Sequence, residues 1–379
     1  MQYRKCGSLD FTVSALGYGC MRLPIIDEDA GKINEPEAIG LIRHAIDNGV
    51  NYVDTAYGYH QEQSEILVGK ALQDGYRDKV KLATKLPMWL VKEREDCDRL
   101  LNEQLEKLQT DCIDFYLLHA LNRERWELAK RLGILEWLDQ AVADGRIKHR
   151  AFSFHDSLDV FKEIIDGYDW DMCQIQLNYM DEEYQAGVEG LKYAGGKGIA
   201  VVIMEPLRGG KLAKNVPAEV KAAFDAYGAD RSPANWALRW LWNFPEVSTV
   251  LSGMGAMEEL EDNLASASAE DAKPLAMSEA ELKVIEEVKN IYRQRIAVDC
   301  TECEYCQPCP NDVKIPRIFG LFNELSMYQV EDPKRWYKNL VEEGTDASKC
   351  IECGECESVC PQNLPIIEDL KRAQEALSV

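Results

Sequence analysis

A chain of 379 residues is longer than one ordinary compact domain and fits a barrel of about 250 residues with a small appendix. A hydrophobic share of 46% with 29% charged residues is globular composition, and no apolar run of about 18 residues is present, which argues against a membrane span. The net charge of −23 disfavours nucleic acid and anionic lipid as partners, since both repel an acidic surface; the start MQYRKCGSLDF lacks the apolar core of a signal peptide, so a cytoplasmic location is expected.

Gln2–Val13, with Gly7 and Ser8 in its middle, reads as a hairpin ahead of the main fold. From there to about residue 265, short β-rich apolar runs alternate with amphipathic helical stretches, as in parallel strands joined by crossover helices. The runs are Ser14–Gly19, Val50–Asp54, Val80–Lys85, Cys112–His119, Ile147–Phe154, Met172–Asn178, Gly198–Glu205 and Val247–Gly253. Helices are expected over Pro36–Asn48, Arg94–Leu108, Arg123–Asp144 and Ala234–Trp242, and eight strand runs favour a closed (β/α)8 TIM barrel over an open sheet. Ser278-Glu-Ala-Glu281 has the form of a capping box and is followed by Leu282, Ile285, Val288 and Ile291 at helical spacing. The expected division is a barrel over 1–277, a connecting helix over 278–296 that docks on it, and a small ferredoxin-like α+β module over 297–379.

Of 13 cysteines, eight crowd into the stretch from Cys300 to Cys360. They form two runs, Cys300, Cys303, Cys306 and Cys309, then Cys350, Cys353, Cys356 and Cys360, each ending in a Cys-Pro pair. Three cysteines at two-residue gaps let one loop offer three thiolates to a cubane, while the fourth projects toward a neighbouring cluster. The assignment is one [4Fe-4S] cluster on Cys300, Cys303, Cys306 and Cys360, and a second on Cys350, Cys353, Cys356 and Cys309. The first run has two residues instead of three before its last cysteine, which makes Cys309 the less secure cross-ligand. Structural zinc is the rival, but two runs of four ending in proline exceed what zinc needs. Cys6, Cys20, Cys97, Cys112 and Cys173 stand singly beside apolar residues and read as core thiols.

Asp54, Tyr59, Lys85 and His119 fall at or just past the C-terminal ends of predicted strands, the face on which such barrels build active sites. Alone, each has a bland reading as cap, packing residue or snorkelling lysine. Together they form an acid–base group: a tyrosine hydroxyl is a poor acid or base unless a cation such as Lys85 stabilises its phenolate. Asp54 would keep that lysine charged and His119 would hold the substrate oxygen. Trp89 and His155, which also follow strand ends, are expected to border the pocket.

On these residues the chain resembles the aldo-keto reductases over residues 1 to about 270, and the cysteine tail is similar to that of the subgroup with a C-terminal 4Fe-4S domain. The resemblance implies the roles above for the four strand-end residues, and contacts from Ser153 and Gln174 to a nicotinamide carboxamide. It also implies cofactor contacts from Met204, Pro206 and Leu207, and from the segment Ser252, Gly253 and Asn263. Met204 stands where the family often has a stacking tyrosine, and Phe154 where it has an asparagine. Arg208 and Gly210 could hold the pyrophosphate. Glu259 would repel a 2′-phosphate, so NAD(H) is at least as well suited as NADP(H).

The function so implied is an oxidoreductase that reduces a carbonyl, or oxidises an alcohol, with a nicotinamide cofactor and two clusters for electron transfer. Clusters pass single electrons and nicotinamide passes a hydride, and no flavin site is identified, though a flavin is not excluded. A ferredoxin or other redox partner would fit such a tail. The alternative is a non-catalytic or redox-sensing barrel subunit whose clusters are structural or sensory.

Overall fold

The eight β-rich runs become eight parallel strands of a closed barrel in a computed structural model that describes residues 1–378. They are β1 (Leu16–Gly19), β2 (Tyr52–Asp54), β3 (Lys81–Leu86), β4 (Ile113–Leu121), β5 (Ile147–Phe154), β6 (Met172–Gln176), β7 (Ala200–Met204) and β8 (Val247–Ser252). Each pairs with its sequence neighbour, and β8 closes onto β1 through Val250↔Leu16 and Ser252↔Tyr18. Strands such as β7, Ala-Val-Val-Ile-Met, are apolar almost throughout because barrel strands are covered on both faces.

Helices follow the strands at the expected places, with two differences. The stretch Arg123–Asp144 is two helices, Arg123–Arg131 and Ile134–Ala143, because Gly133 between them takes a left-handed φ of 65° that breaks the helical ladder. A second hairpin, Ile25–Ile26 with Asp29–Ile33, was not expected; its strands are too short for an alternating pattern to register.

The expected N-terminal hairpin pairs Tyr3–Lys5 with Thr12–Ser14. Cys6 and Val13 pack with Tyr52, Phe115, Met172 and Ala200, which closes the end of the barrel where the strands begin. The Arg4 guanidinium donates to the carbonyls of Trp242, Phe244 and Val247 and fastens the hairpin to the barrel. Gly7 lies at φ 55°, and a Cβ there would stand 2.5 Å from both the Ala200 amide nitrogen and the Gly198 carbonyl oxygen. Gly7→Ala is therefore expected to cost about 1–3 kcal/mol, read as a lower urea midpoint at unchanged slope. An unchanged midpoint would show that the hairpin does not seal this end.

The chain divides into two compact units, residues 1–209 with 234–278, and residues 210–233 with 279 onward. The helix Glu279–Gln294 groups with the cysteine-bearing unit instead of standing apart as a connector on the barrel, and Gly210–Pro233 joins it. Arg231 bonds Glu281 at 2.5 Å and Lys211 bonds Glu324 at 2.8 Å within that unit. Its core is built from Val313, Ile318, Phe319, Leu321, Leu370 and Ala373. Among the described residues no strand follows Ser252, so the regular structure of the tail is helical where an α+β module was expected. The first cysteine run is irregular chain and turn, whereas in the second Cys356 stands on the short helix Glu355–Val359.

Candidate active site and cluster cavities

Asp54 ends β2, Lys85 is the penultimate residue of β3, and the register that sets Asp54 opposite Ala83 brings the two side chains to one end of the barrel. Lys85 Nζ donates to Asp54 Oδ1 at 2.7 Å, to the Thr55 carbonyl at 2.8 Å and to the Tyr59 hydroxyl at 3.2 Å. The Lys85 and Asp54 side chains are 1% and 3% exposed, so the pair works in a medium where charge interactions are strong. Burial opposes the ammonium, but Asp54 and Tyr59 outweigh it and hold Lys85 above the ordinary lysine value. Burial also raises Tyr59, with Lys85 opposing, so the hydroxyl is a protonated phenol at neutral pH.

His119 completes the group from β4, with its ring 6.3 Å from that of Tyr59. Burial, then the nearby Lys85, push its pKa down to about 2. The imidazole is neutral, and its Nδ1 has no protein partner among the described residues. A neutral imidazole beside a protonated phenol divides the work: the histidine can hold an oxygen, and the tyrosine can give it a proton.

Behind Lys85 lies a buried chain that the sequence did not reveal. Gln104 Nε2 donates to the Lys85 carbonyl at 3.0 Å and to Glu65 Oε1 at 2.5 Å, while the Thr84 hydroxyl donates to Glu65 Oε1 at 2.6 Å. Tyr116 donates to Gln104 Oε1 at 2.6 Å. These residues are spread over two helices and two strands at unrelated spacings, and only the closed barrel collects them.

Ser153 and Gln174 face each other in the β5–β6 register. Ser153 Oγ accepts from the Ala120 amide at 2.7 Å; Gln174 Nε2 donates to the Met204 sulfur at 3.6 Å, leaving its buried Oε1 without a partner. A buried, unpartnered amide oxygen is suited to a ligand amide N–H. Pro206 and Leu207 follow β7, where Pro206 is buried and Leu207 partly so. Arg208 is already engaged by Asp181 at 2.8 Å, and Gly210 falls in the other compact unit.

At the end of β8, Asn263 donates to Ser252 Oγ at 2.8 Å. Arg22, which sequence reasoning missed, lies along this segment: a Cβ at Gly253 would meet its side chain at 3.2 Å, and one at Gly255 its carbonyl at 3.0 Å. Its guanidinium is 3.8 Å from Glu205. Glu259 is turned to the backbone, accepting from the Gly255 amide at 3.0 Å.

With this geometry in hand, comparison with known proteins is decisive for the family. The aldo/keto reductase family pattern matches residues 15–289. The chain belongs to the aldo/keto reductase family. A probable aldo-keto reductase from Glycine max is 27% identical over 350 residues, covering 82% of this chain and 97% of its own. An aldo-keto reductase from Bacillus halodurans in its holo form superposes with a TM-score of 0.63 at 24% identity, covering 76% of this chain and 96% of its own. One from Klebsiella pneumoniae in complex with NADP and acetate gives 0.62 at 22%, covering 76% and 95%. These two structures speak for the fold.

The tail adds to this aldo/keto reductase a segment, residues 299–364, that matches a 4Fe-4S dicluster domain. The cysteines line two cavities. One is bordered by Cys300, Cys303, Cys306 and Cys360; the other by Cys306, Cys309, Cys350, Cys353 and Cys356. Among the described residues no three His, Cys, Asp or Glu side chains are gathered as ligands of a single ion. Four cysteines spread around a cavity suit a cluster better than one ion.

Proposed function

We propose that the barrel reduces an aldehyde or ketone with a nicotinamide dinucleotide and that the tail holds two [4Fe-4S] clusters for electron transfer. The observation that carries the barrel reading is the buried Lys85 ammonium bonded at once to Asp54 and to the Tyr59 hydroxyl. When bound, the nicotinamide supplies the hydride. Ser153 and Gln174 would hold its carboxamide, with the unpartnered Gln174 Oε1 as acceptor. Met204, Pro206 and Leu207 would border the ring, and Ser252, Gly253 and Asn263 would line the rest of the dinucleotide, joined by Arg22. Arg208, whose guanidinium also pairs with Asp181, would reach the pyrophosphate.

His119 donates a hydrogen bond to the substrate oxygen, and Tyr59 gives that oxygen a proton as charge develops on it. Lys85 steadies the tyrosinate left behind, and Asp54 keeps Lys85 charged. Run in reverse, the same group takes a proton from an alcohol. The NADP named with the Klebsiella pneumoniae relative supports a nicotinamide cofactor here, and Glu259 beside the dinucleotide segment leaves NADH at least as well suited as NADPH by charge.

The test is carbonyl-dependent consumption of NADH and of NADPH across aldehydes, ketones and sugars. Consumption with any of them supports the reading; none, with cofactor bound, overturns it. The pH profile tests the division of roles. The reactive form is the protonated phenol, present below the Tyr59 pKa and lost as pH rises through it, and that pKa lies above the ordinary phenol value. Reduction by the saturated enzyme is therefore expected to be flat through neutrality and to fall only on the alkaline side. An acid limb at the ordinary histidine value, moved by His119→Gln, would contradict the neutral imidazole.

In the tail, Cys300, Cys303, Cys306 and Cys360 would hold one cluster and Cys309, Cys350, Cys353 and Cys356 the other. The clusters supply single-electron transfer, to which a ferredoxin or another one-electron carrier would be the natural partner.

A further inference from the structure

Most arginines of the barrel are matched to carboxylates: Arg77 to Asp114, Arg146 to Asp98 and Asp144, Arg150 to Asp139 and Asp171. Arg125 is an exception, in a chain with 66 acidic and 43 basic residues. It lies at the start of the helix Arg123–Arg131 that follows β4, where the Asn122 side chain caps its backbone amide. It is half-buried, and its Nη1 donates to the Ala120 carbonyl at 2.7 Å; among the described residues no carboxylate meets it.

A guanidinium held this way is a fixed positive fork with donors to spare, and a half-buried charge without a counterion is costly unless a ligand supplies one. Its place says which ligand. The guanidinium carbon stands 5.9 Å from the centre of the Trp89 ring, and that ring stands 5.1 Å from the ring of His119. Trp89 is 47% exposed, so an indole surface lies open between a cation and the group that binds the reacting oxygen. Arg125 is also close enough to His119 and His155 to depress both imidazoles. The neighbouring His155 is turned to Gln185 at 3.3 Å, and the carboxylate that acts on it is Glu205.

We infer that Arg125 and Trp89 form a subsite for an anionic group, so that the preferred substrate is a carbonyl compound carrying a carboxylate or phosphate several bonds from its carbonyl carbon. The inference rests on the carbonyl-reductase reading and names the substrate class of that same site. The indole packs the carbon segment between the two ends, and the guanidinium forks onto the anion. For a protein of net charge −23, which repels anions at long range, such a local cation is what makes an anionic substrate acceptable.

The test compares matched pairs, 4-carboxybenzaldehyde with benzaldehyde and glyceraldehyde 3-phosphate with glyceraldehyde, in the wild-type holoenzyme and in Arg125→Met and Arg125→Lys. The charged member is expected to win in kcat/KM by at least about tenfold in one pair, and the pair that shows it identifies carboxylate or phosphate. Arg125→Met should bring that ratio to about one, mainly through KM, and Arg125→Lys should restore part of it. The ratio should also shrink as salt is raised. A wild-type ratio near one in both pairs, or one that Arg125→Met leaves unchanged, overturns the inference. Direct calorimetric binding of the four aldehydes separates the two readings. Charge-selective binding that depends on Arg125 but without turnover would defeat carbonyl reduction and keep the anion subsite, whereas turnover without charge selection would do the reverse.

Discussion

Tyr59→Phe is expected to lower kcat for carbonyl reduction by about 10²–10⁴-fold, the range that removal of a general acid produces. The substitution deletes one oxygen and leaves the ring in place, so its packing 6.3 Å from His119 survives. The loss should therefore appear in kcat with little change in dinucleotide binding. Lys85→Met should act through the same proton: without the ammonium 3.2 Å away, the tyrosinate formed on proton transfer has no cation beside it. Lys85→Met also leaves Asp54 buried and unpaired, so a folding loss is expected with it. The double variant should lose little more activity than Tyr59→Phe alone, because the two residues act as one unit. Losses that multiply would mean that Lys85 has a separate task. Steady-state kinetics with dinucleotide titration by fluorescence, on variants of checked fold, gives both readings.

The second large effect concerns the tail. Cys360→Ser is expected to remove the cluster of the first cysteine run although Cys360 belongs to the second, because its side chain borders the cavity of Cys300, Cys303 and Cys306. Iron should fall from about eight per chain to about four. Double variants separate crossed from uncrossed ligation. With crossing, Cys300→Ser with Cys360→Ser damages a single cluster and keeps about four irons, whereas Cys300→Ser with Cys309→Ser damages both. Without crossing these outcomes exchange. Iron and sulfide analysis after anaerobic purification, with electron paramagnetic resonance of the dithionite-reduced protein, reads the result.

Much of this arrangement was legible in the sequence because the fold writes it locally. Each barrel strand is a short apolar run that ends near a polar residue, so Asp54, Lys85 and His119 could be placed on one face before any contact was known. The two cysteine runs were equally legible, since ligand spacing along a loop is a property of the chain; in the fold Cys300, Cys303, Cys306 and Cys360 line one cavity and Cys306, Cys309, Cys350, Cys353 and Cys356 the other. What escaped was long-range or carried by single residues. Gln104 and Glu65, which hold the Lys85 backbone, look like ordinary polar residues of amphipathic helices, and nothing in their spacing marks them as buried. Arg22 sits in a segment after β1 with no helical or strand period, and its position beside Gly253 and Gly255 depends on closure of β8 onto β1. At Arg208 the motif does not reveal that the fold supplies Asp181 to engage the guanidinium. The helix Glu279–Gln294 was placed correctly as an element, yet amphipathic spacing says only that one face is covered, and that face belongs to the cysteine-bearing unit.

The most direct test of the account is isotope transfer: the protein is mixed anaerobically with NADH or NADPH carrying deuterium at the transferable position and with a carbonyl substrate, and the product is analysed by mass spectrometry and NMR. The account predicts an alcohol with deuterium on the former carbonyl carbon, formed by the wild-type protein and slowed by about 10²–10⁴-fold in Tyr59→Phe. Bound cofactor with no deuterium in any product, or transfer that Tyr59→Phe does not slow, would contradict it.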